Sequence, residues 1–155
     1  MGNVAKARAL ALAIPAALLA GAWGFQLIGH LYPCEMCHWQ RWPHYTALVL
    51  ALLAFVRGAP QRLLVALAAV AILVSGAIGI AHAGVEYHWW QGFTACTQTV
   101  RGTLTIDDLM KAPIVRCDAP QWTFHGISLA GFNAILSIVG GLAVLTLLLR
   151  RNRRA

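Results

Sequence analysis

Charge is what this sequence has least of. Five of its 155 residues are acidic and twelve are Lys or Arg, so charged residues reach only 11%. An average soluble domain carries about 25%. Hydrophobic residues make up 59% of the chain. A soluble fold of this length could not cover its surface with so few charges, and disorder needs the opposite composition. A soluble enzyme and a disordered chain are both excluded. Repeats and low-complexity segments are also missing. The net charge of +7 taken alone suggests nucleic acid, but the placement of the basic residues points to membrane topology instead. The composition is that of one small integral membrane domain over residues 1–155.

Four apolar stretches carry the hydrophobic content. Residues 9–31, 63–85 and 126–149 run without a charged side chain, and each is long enough for a helix that crosses a bilayer, which needs about 20 residues. The second stretch, 40–56, contains Arg41, and its core run 44–56 has only 13 residues, so length alone leaves it marginal or re-entrant. Charge placement favours a crossing. With four spans, one side holds Lys6, Arg8, Arg57, Arg62, Arg150, Arg151, Arg153 and Arg154 and no acid. The other side holds Arg41, Arg101, Lys111 and Arg116 with all the acids: Glu35, Glu86, Asp107, Asp108 and Asp118. Cytoplasmic loops carry the excess of Lys and Arg. The expected fold is an all-α bundle of four transmembrane helices with both termini cytoplasmic.

The aromatic residues agree with this topology. Trp39, Trp42, Trp89, Trp90 and Trp122 fall at outer span ends or in outer loops, with Tyr32, Tyr45 and Tyr87. Such rings suit the headgroup layer; Trp23 alone lies inside a span. Lys6 and Arg8 before an alanine-rich run also fit a signal peptide, although the apolar stretch is long for one. The outer connections are then residues 32–43 and 86–125. Within the second, Thr105 to Lys111 reads as a helical turn with Thr105 as its cap and Pro113 just beyond.

All four cysteines fall on these outer connections: Cys34 and Cys37 in the first, Cys96 and Cys117 in the second. Disulfides persist outside a bacterial plasma membrane. Two bracing disulfides are one reading. Cys-x-x-Cys closes a tiny ring, however, which removes little chain entropy and makes a better redox couple than a brace. Cys34 to His38 also spells Cys-x-x-Cys-His, the attachment pattern of a c-type haem, and this keeps a haem-bearing electron carrier as the alternative. A four-cysteine zinc site is a third reading, with the second pair too widely spaced for a zinc ribbon.

Pro33-Cys34-Glu35-Met36-Cys37 followed by Gln40-Arg41 resembles the Pro-Cys-x-x-Cys-x-x-x-Arg signature of the DsbB family. His82-Ala83-Gly84-Val85-Glu86, leading to Thr94-Ala95-Cys96, is similar to its second-loop approach. Cys117-Asp118 with Trp122, Phe124, Gly126, Ile127 and Ser128 is similar to its entry into the last span. The likeness covers nearly the whole chain in order. Vitamin K epoxide reductase, another quinone-linked thiol enzyme, carries its Cys-x-x-Cys late in the chain, unlike the early pair here.

The resemblance implies a protein-dithiol:quinone oxidoreductase in the bacterial inner membrane, its site facing the periplasm. It would reoxidise a DsbA-like thioredoxin-fold protein and pass electrons to membrane quinone, ubiquinone or menaquinone. By resemblance, Cys96 is attacked by the reduced partner, Cys117 then exchanges with Cys34, and Cys37 becomes the thiolate beside the quinone. Independently of it, Cys37 and Arg41 share a face if a helix begins there. The helix's positive end and the guanidinium would then stabilise a thiolate and a developing quinol anion. Pro43 disfavours helical geometry before it, so the regular helix is expected to begin there. For Arg41 the bland alternative is snorkelling to headgroups. His82 would donate to a quinone oxygen, or else be solvated. His30, His44, His88 and His125 share the outer zone without metal-ligand spacing. Gln26, Asn133 and Ser137 read as polar contacts between helices.

Overall fold

The computed structural model describes residues 2–92, 94, 96 and 115–150; the expected turn at Thr105 to Lys111 lies outside them. Among the described residues four helices dominate: α1 (Asn3–Leu27), α2 (Glu35–Leu53), α3 (Gln61–Glu86) and α4 (Leu129–Leu149). A two-stranded antiparallel hairpin, β1 (Thr123–Phe124) and β2 (Ile127–Ser128), leads into α4. By length and composition α1, α3 and α4 are apolar enough to cross a membrane, whereas α2 is not. The polar residues Glu35, Gln40, Arg41 and His44 in its first turns are the reason. Away from the helix ends the outward faces are apolar: Val49, Leu52, Val70, Val139 and Leu142 are each more than half exposed. Lipid can solvate such a surface and water cannot.

α3 is the central helix, packed most extensively against α4 and α2. Small residues let it approach them closely, which is how helices associate where no hydrophobic effect separates them from lipid. Ala7, Ala11, Ala47, Ala51, Ala68 and Ala69 are fully buried around Ile72 and Val144. At Gly79 a Cβ would meet the backbone nitrogen of Ala134 at 3.0 Å, so a side chain there would crowd the α4 backbone.

The helix limits depart from the apolar stretches for identifiable reasons. α1 begins at Asn3 rather than at residue 9 because Lys6 and Arg8 limit the apolar run without opposing the helix. It stops at Leu27, before Gly29 and the left-handed His30 (φ 54°). α2 begins at Glu35 and runs through Pro43, so the start expected at Pro43 is corrected. The Cys34 sulfur caps it by accepting from the Cys37 amide at 3.3 Å, and Glu35 suits its positive end. Two of the basic residues also close helix C-termini. Arg8 donates to the Ala54 carbonyl at 3.3 Å and Arg62 to the Leu148 carbonyl at 2.6 Å, satisfying acceptors that the helix leaves open.

At the cysteine-bearing end, the Tyr87 hydroxyl donates to the Gly126 carbonyl (2.9 Å) and accepts from the Ser128 amide (2.7 Å). It thereby fastens the hairpin to the end of α3. Ser128 in turn caps α4, accepting from the Gly131 amide at 3.1 Å. His125 and Gly126, with φ of 50° and 79°, make the two-residue turn that both-positive angles favour. His88 (φ 58°) is left-handed like His30. His30, His88 and His125 thus shape the backbone.

Candidate functional site

The first turn of α2 sets the site. Cys34 at its N-cap and Cys37 one turn on place their sulfurs 2.8 Å apart as free thiols. The hydrogen bond with Cys37 and, after it, burial push the Cys34 thiol well above the ordinary range. Cys34 therefore keeps its proton, with its sulfur as a partner for Cys37. His38 beside them is exposed.

The second loop delivers the other pair. Cys96 and Cys117 are joined by a disulfide with their Cα atoms 5.4 Å apart, and the Cys117 amide donates to the Cys96 carbonyl at 3.2 Å. Met36, Val85, Cys34, Cys96 and Cys117 form one buried apolar cluster, so the two loops share a core. Within it, the sulfurs of Cys34 and Cys117 and a ring nitrogen of His82 all lie within 4.8 Å of one another. That is a three-residue ligand spacing, but a sulfur held in a disulfide is not a thiolate ligand. The arrangement is suited to thiol–disulfide exchange between the loops. Gln121 Nε2 also ties the loops by donating to the Tyr32 carbonyl at 2.8 Å. Beside Cys117, Arg116 makes two bonds to Asp118 at 2.8 and 2.6 Å, and these hold the Asp118 carboxyl below the usual carboxylate range.

Beneath the loops a cleft of about 320 Å³ opens among the four helices, at the low end of small-ligand sites, which run to about 300–1,000 Å³. Its polar end holds Cys37, Arg41 and His82, and its apolar walls include Leu18, Phe25 and Phe132. Trp122 closes one side against Phe25, ring centroids 5.1 Å apart. A flat ring with polar oxygens and a hydrocarbon tail fits such a lining.

Arg41 is 9% exposed and does not snorkel. Nη1 donates to Gln26 Oε1 at 2.6 Å, Nη2 to the Ala22 carbonyl at 3.2 Å, and the guanidinium lies 5.3 Å from the Trp23 ring. His82 is 2% exposed and is not solvated. Its Nδ1 lies 2.7 Å from Gln40 Nε2, and its Nε2 lies 3.6 Å from Cys34 Sγ and 3.7 Å from Glu86 Oε1. The six residues expected from the sequence (Cys34, Cys37, Arg41, His82, Cys96 and Cys117) thus meet at one end of the bundle.

The surroundings of His82 were the part missed. Gln40, Ser75 and Glu86 are all buried around it or its partners. Their signal lay in polar residues within apolar helices, and in the His82 to Glu86 spacing of one helical turn. Gln26, Asn133 and Ser137 do join helices: Gln26 reaches Arg41, and Asn133 links α4 to α2 and α3. Ser137 donates to Asn133 Oδ1 at 3.1 Å and lies 3.3 Å from His44 Nε2.

A family model described as disulfide bond formation protein DsbB matches residues 5–148. An uncharacterized protein of Rickettsia prowazekii (strain Madrid E) is 26% identical over 126 residues, covering 77% of this chain and 73% of the relative. No solved structure matches the chain.

Proposed function

Because this chain belongs to the DsbB family, a family of membrane oxidoreductases for disulfide bond formation, we propose that it reoxidises a periplasmic DsbA-like thioredoxin-fold protein and passes the electrons to membrane quinone, ubiquinone or menaquinone. In this reading all four helices cross the bacterial inner membrane and both termini are cytoplasmic. α2 crosses with Gln40, Arg41 and His44 turned into the cleft and not towards lipid. The observation that carries the proposal is the proximity of Cys34 and Cys117 beside a cleft lined by Cys37, Arg41 and His82.

The chemistry follows by thiolate attack. A partner thiolate attacks Cys96, forming an intermolecular disulfide and releasing Cys117 as thiolate. The partner's second thiolate attacks its own sulfur in that bond, so the partner leaves oxidised and Cys96 is freed. Cys117 attacks Cys34 of a Cys34–Cys37 disulfide and releases Cys37. Cys96 then attacks Cys117, re-forming their bond and leaving Cys34 and Cys37 reduced. That final distribution is the one described above, with Cys96–Cys117 closed and Cys34 and Cys37 free. A quinone in the cleft supplies an acceptor for two electrons and two protons. Cys37 faces it, Arg41 offers fixed positive charge, His82 offers a ring N–H, and the apolar walls exclude water.

A c-type haem would need both sulfurs of the first pair bonded to one porphyrin, with His38 near the iron. Cys34 is instead enclosed by His82 and the second loop, and His38 is turned outward. The test is quinone loss, followed by absorbance, when reduced DsbA-type protein is added to the purified chain. Turnover that disappears in both Cys37→Ser and Cys96→Ser is expected. Equal turnover in either variant would refute the relay.

A further inference from the structure

His82 sits at the end of a buried chain of amides, and the chain determines which of its nitrogens carries the proton. Asn133 Nδ2 lies 3.2 Å from the Ser75 carbonyl, which can only accept, so this end of the amide is the nitrogen. The same Nδ2 donates to Gln40 Oε1 at 2.8 Å and lies 3.2 Å from Ser75 Oγ. Ser75 Oγ spends its own proton on the Gln40 carbonyl at 2.8 Å and is left as an acceptor. With Gln40 Oε1 turned to Asn133, Gln40 Nε2 must face the Met36 carbonyl at 3.2 Å and His82 Nδ1 at 2.7 Å. Turning either amide over would set oxygen against a backbone carbonyl in a buried site, which costs the bond and the desolvation together. His82 Nδ1 therefore accepts. A neutral imidazole then bears its hydrogen on Nε2.

We propose that Gln40 and Asn133 are positioning residues that hold His82 in the Nε2–H tautomer, aiming that N–H at Cys34 and Glu86. His82 Nε2 is 3.6 Å from Cys34 Sγ and 3.7 Å from Glu86 Oε1. With Nδ1 closed by an amide, a proton cannot cross the ring from one nitrogen to the other. His82 is then a fixed hydrogen-bond donor to the reacting sulfur and the cleft, and not a two-nitrogen proton relay. A divalent metal at Nε2 is disfavoured for the same reason, because it would displace the only ring hydrogen. The tautomer is a property of the bundle itself; its catalytic consequence rests on the proposed quinone reaction.

The test is the multiple-bond 1H–15N correlation pattern of His82 in detergent-solubilised protein, assigned by comparison with His82→Gln. Wild type should show protonated Nε2 and bare Nδ1. Gln40→Glu presents a carboxylate to Nδ1 and should move hydrogen onto Nδ1. Gln40→Leu removes the lock and should give mixed tautomers, with quinone turnover down about tenfold, the loss expected of one misdirected hydrogen bond. A wild-type ring protonated on Nδ1, or an unchanged Nε2–H pattern in Gln40→Glu, would overturn the proposal. If Gln40→Leu does not fold, the wild-type and Gln40→Glu spectra still decide. The predicted tautomer with no quinone reduction in wild type would overturn the functional reading and leave the tautomer assignment standing.

Discussion

The sulfur of Cys117 stands within 4.8 Å of the sulfur of Cys34 while Cys117 is still bonded to Cys96. The two loops therefore need little rearrangement to pass a disulfide between them. In a protein carrying both Cys37→Ser and Cys96→Ser, Cys34 and Cys117 should join spontaneously under air. Non-reducing peptide mass mapping would show the linked pair, and two persistent free thiols would contradict the shared core.

In the reduced protein, Cys34 and Cys37 should differ sharply towards alkylation. The Cys34 thiol is pushed up by its bond to Cys37 and by burial, so its thiolate fraction is negligible at neutral pH. Its alkylation should become appreciable only as pH climbs past the ordinary thiol range. Cys37 should react first at pH 7 with a small alkylating reagent. Faster labelling of Cys34, read by mass spectrometry, would contradict the assignment.

Arg41→Ala should weaken quinone use far more than it weakens folding. A hydrogen bond to a charged group is worth roughly 1.5–3 kcal/mol, or about one to two decades in the affected constant. Arg41→Lys should recover part of this, since charge returns without the planar fork that reaches Gln26 and Ala22 together. The quinone dependence of turnover separates these variants. Wild-type dependence in Arg41→Ala would make the residue purely structural.

Gly79→Val should destabilise the bundle by about 1–3 kcal/mol, the usual cost of overpacking. The added Cβ would press on the α4 backbone at 3.0 Å. Gly24→Ala is the control, because a Cβ there meets nothing within 4 Å. Unfolding midpoints in one detergent compare the two, and equal midpoints would contradict the close α3–α4 contact.

For topology, single-cysteine proteins with Gln91→Cys or Gln61→Cys should behave oppositely in intact cells. A membrane-impermeant maleimide should label Gln91→Cys at once and Gln61→Cys only after lysis. Labelling of Gln61→Cys in intact cells would end the four-span reading.

Helices and cysteine placement were legible in the sequence because both are local signals: apolar runs, charge-free stretches, and sulfur confined to two connections. The start of α2 was not, because Pro43 argues locally against a helix that Cys34 capping and packing on α3 nonetheless sustain. Arg41 stood out in the sequence by its spacing from Cys37, and both Arg41 and His82 by the family resemblance, but their burial was not legible. It depends on Gln26, Gln40 and Asn133, which come from three different helices and have no common sequence pattern. Arg8 and Arg62 stood out in the sequence by their charge, and their use as C-terminal caps emerges only when helix ends meet.

The central claim is that two electrons leave a partner dithiol through this chain and arrive on quinone. Its most direct test is stoichiometric, in oxygen-free vesicles holding the purified protein and a known amount of quinone, with reduced DsbA-type protein added outside. One quinol should form for each partner disulfide, and both should stop together in Cys37→Ser. Partner oxidation without matching quinol, or quinol formation that survives the loss of Cys37, would contradict the account.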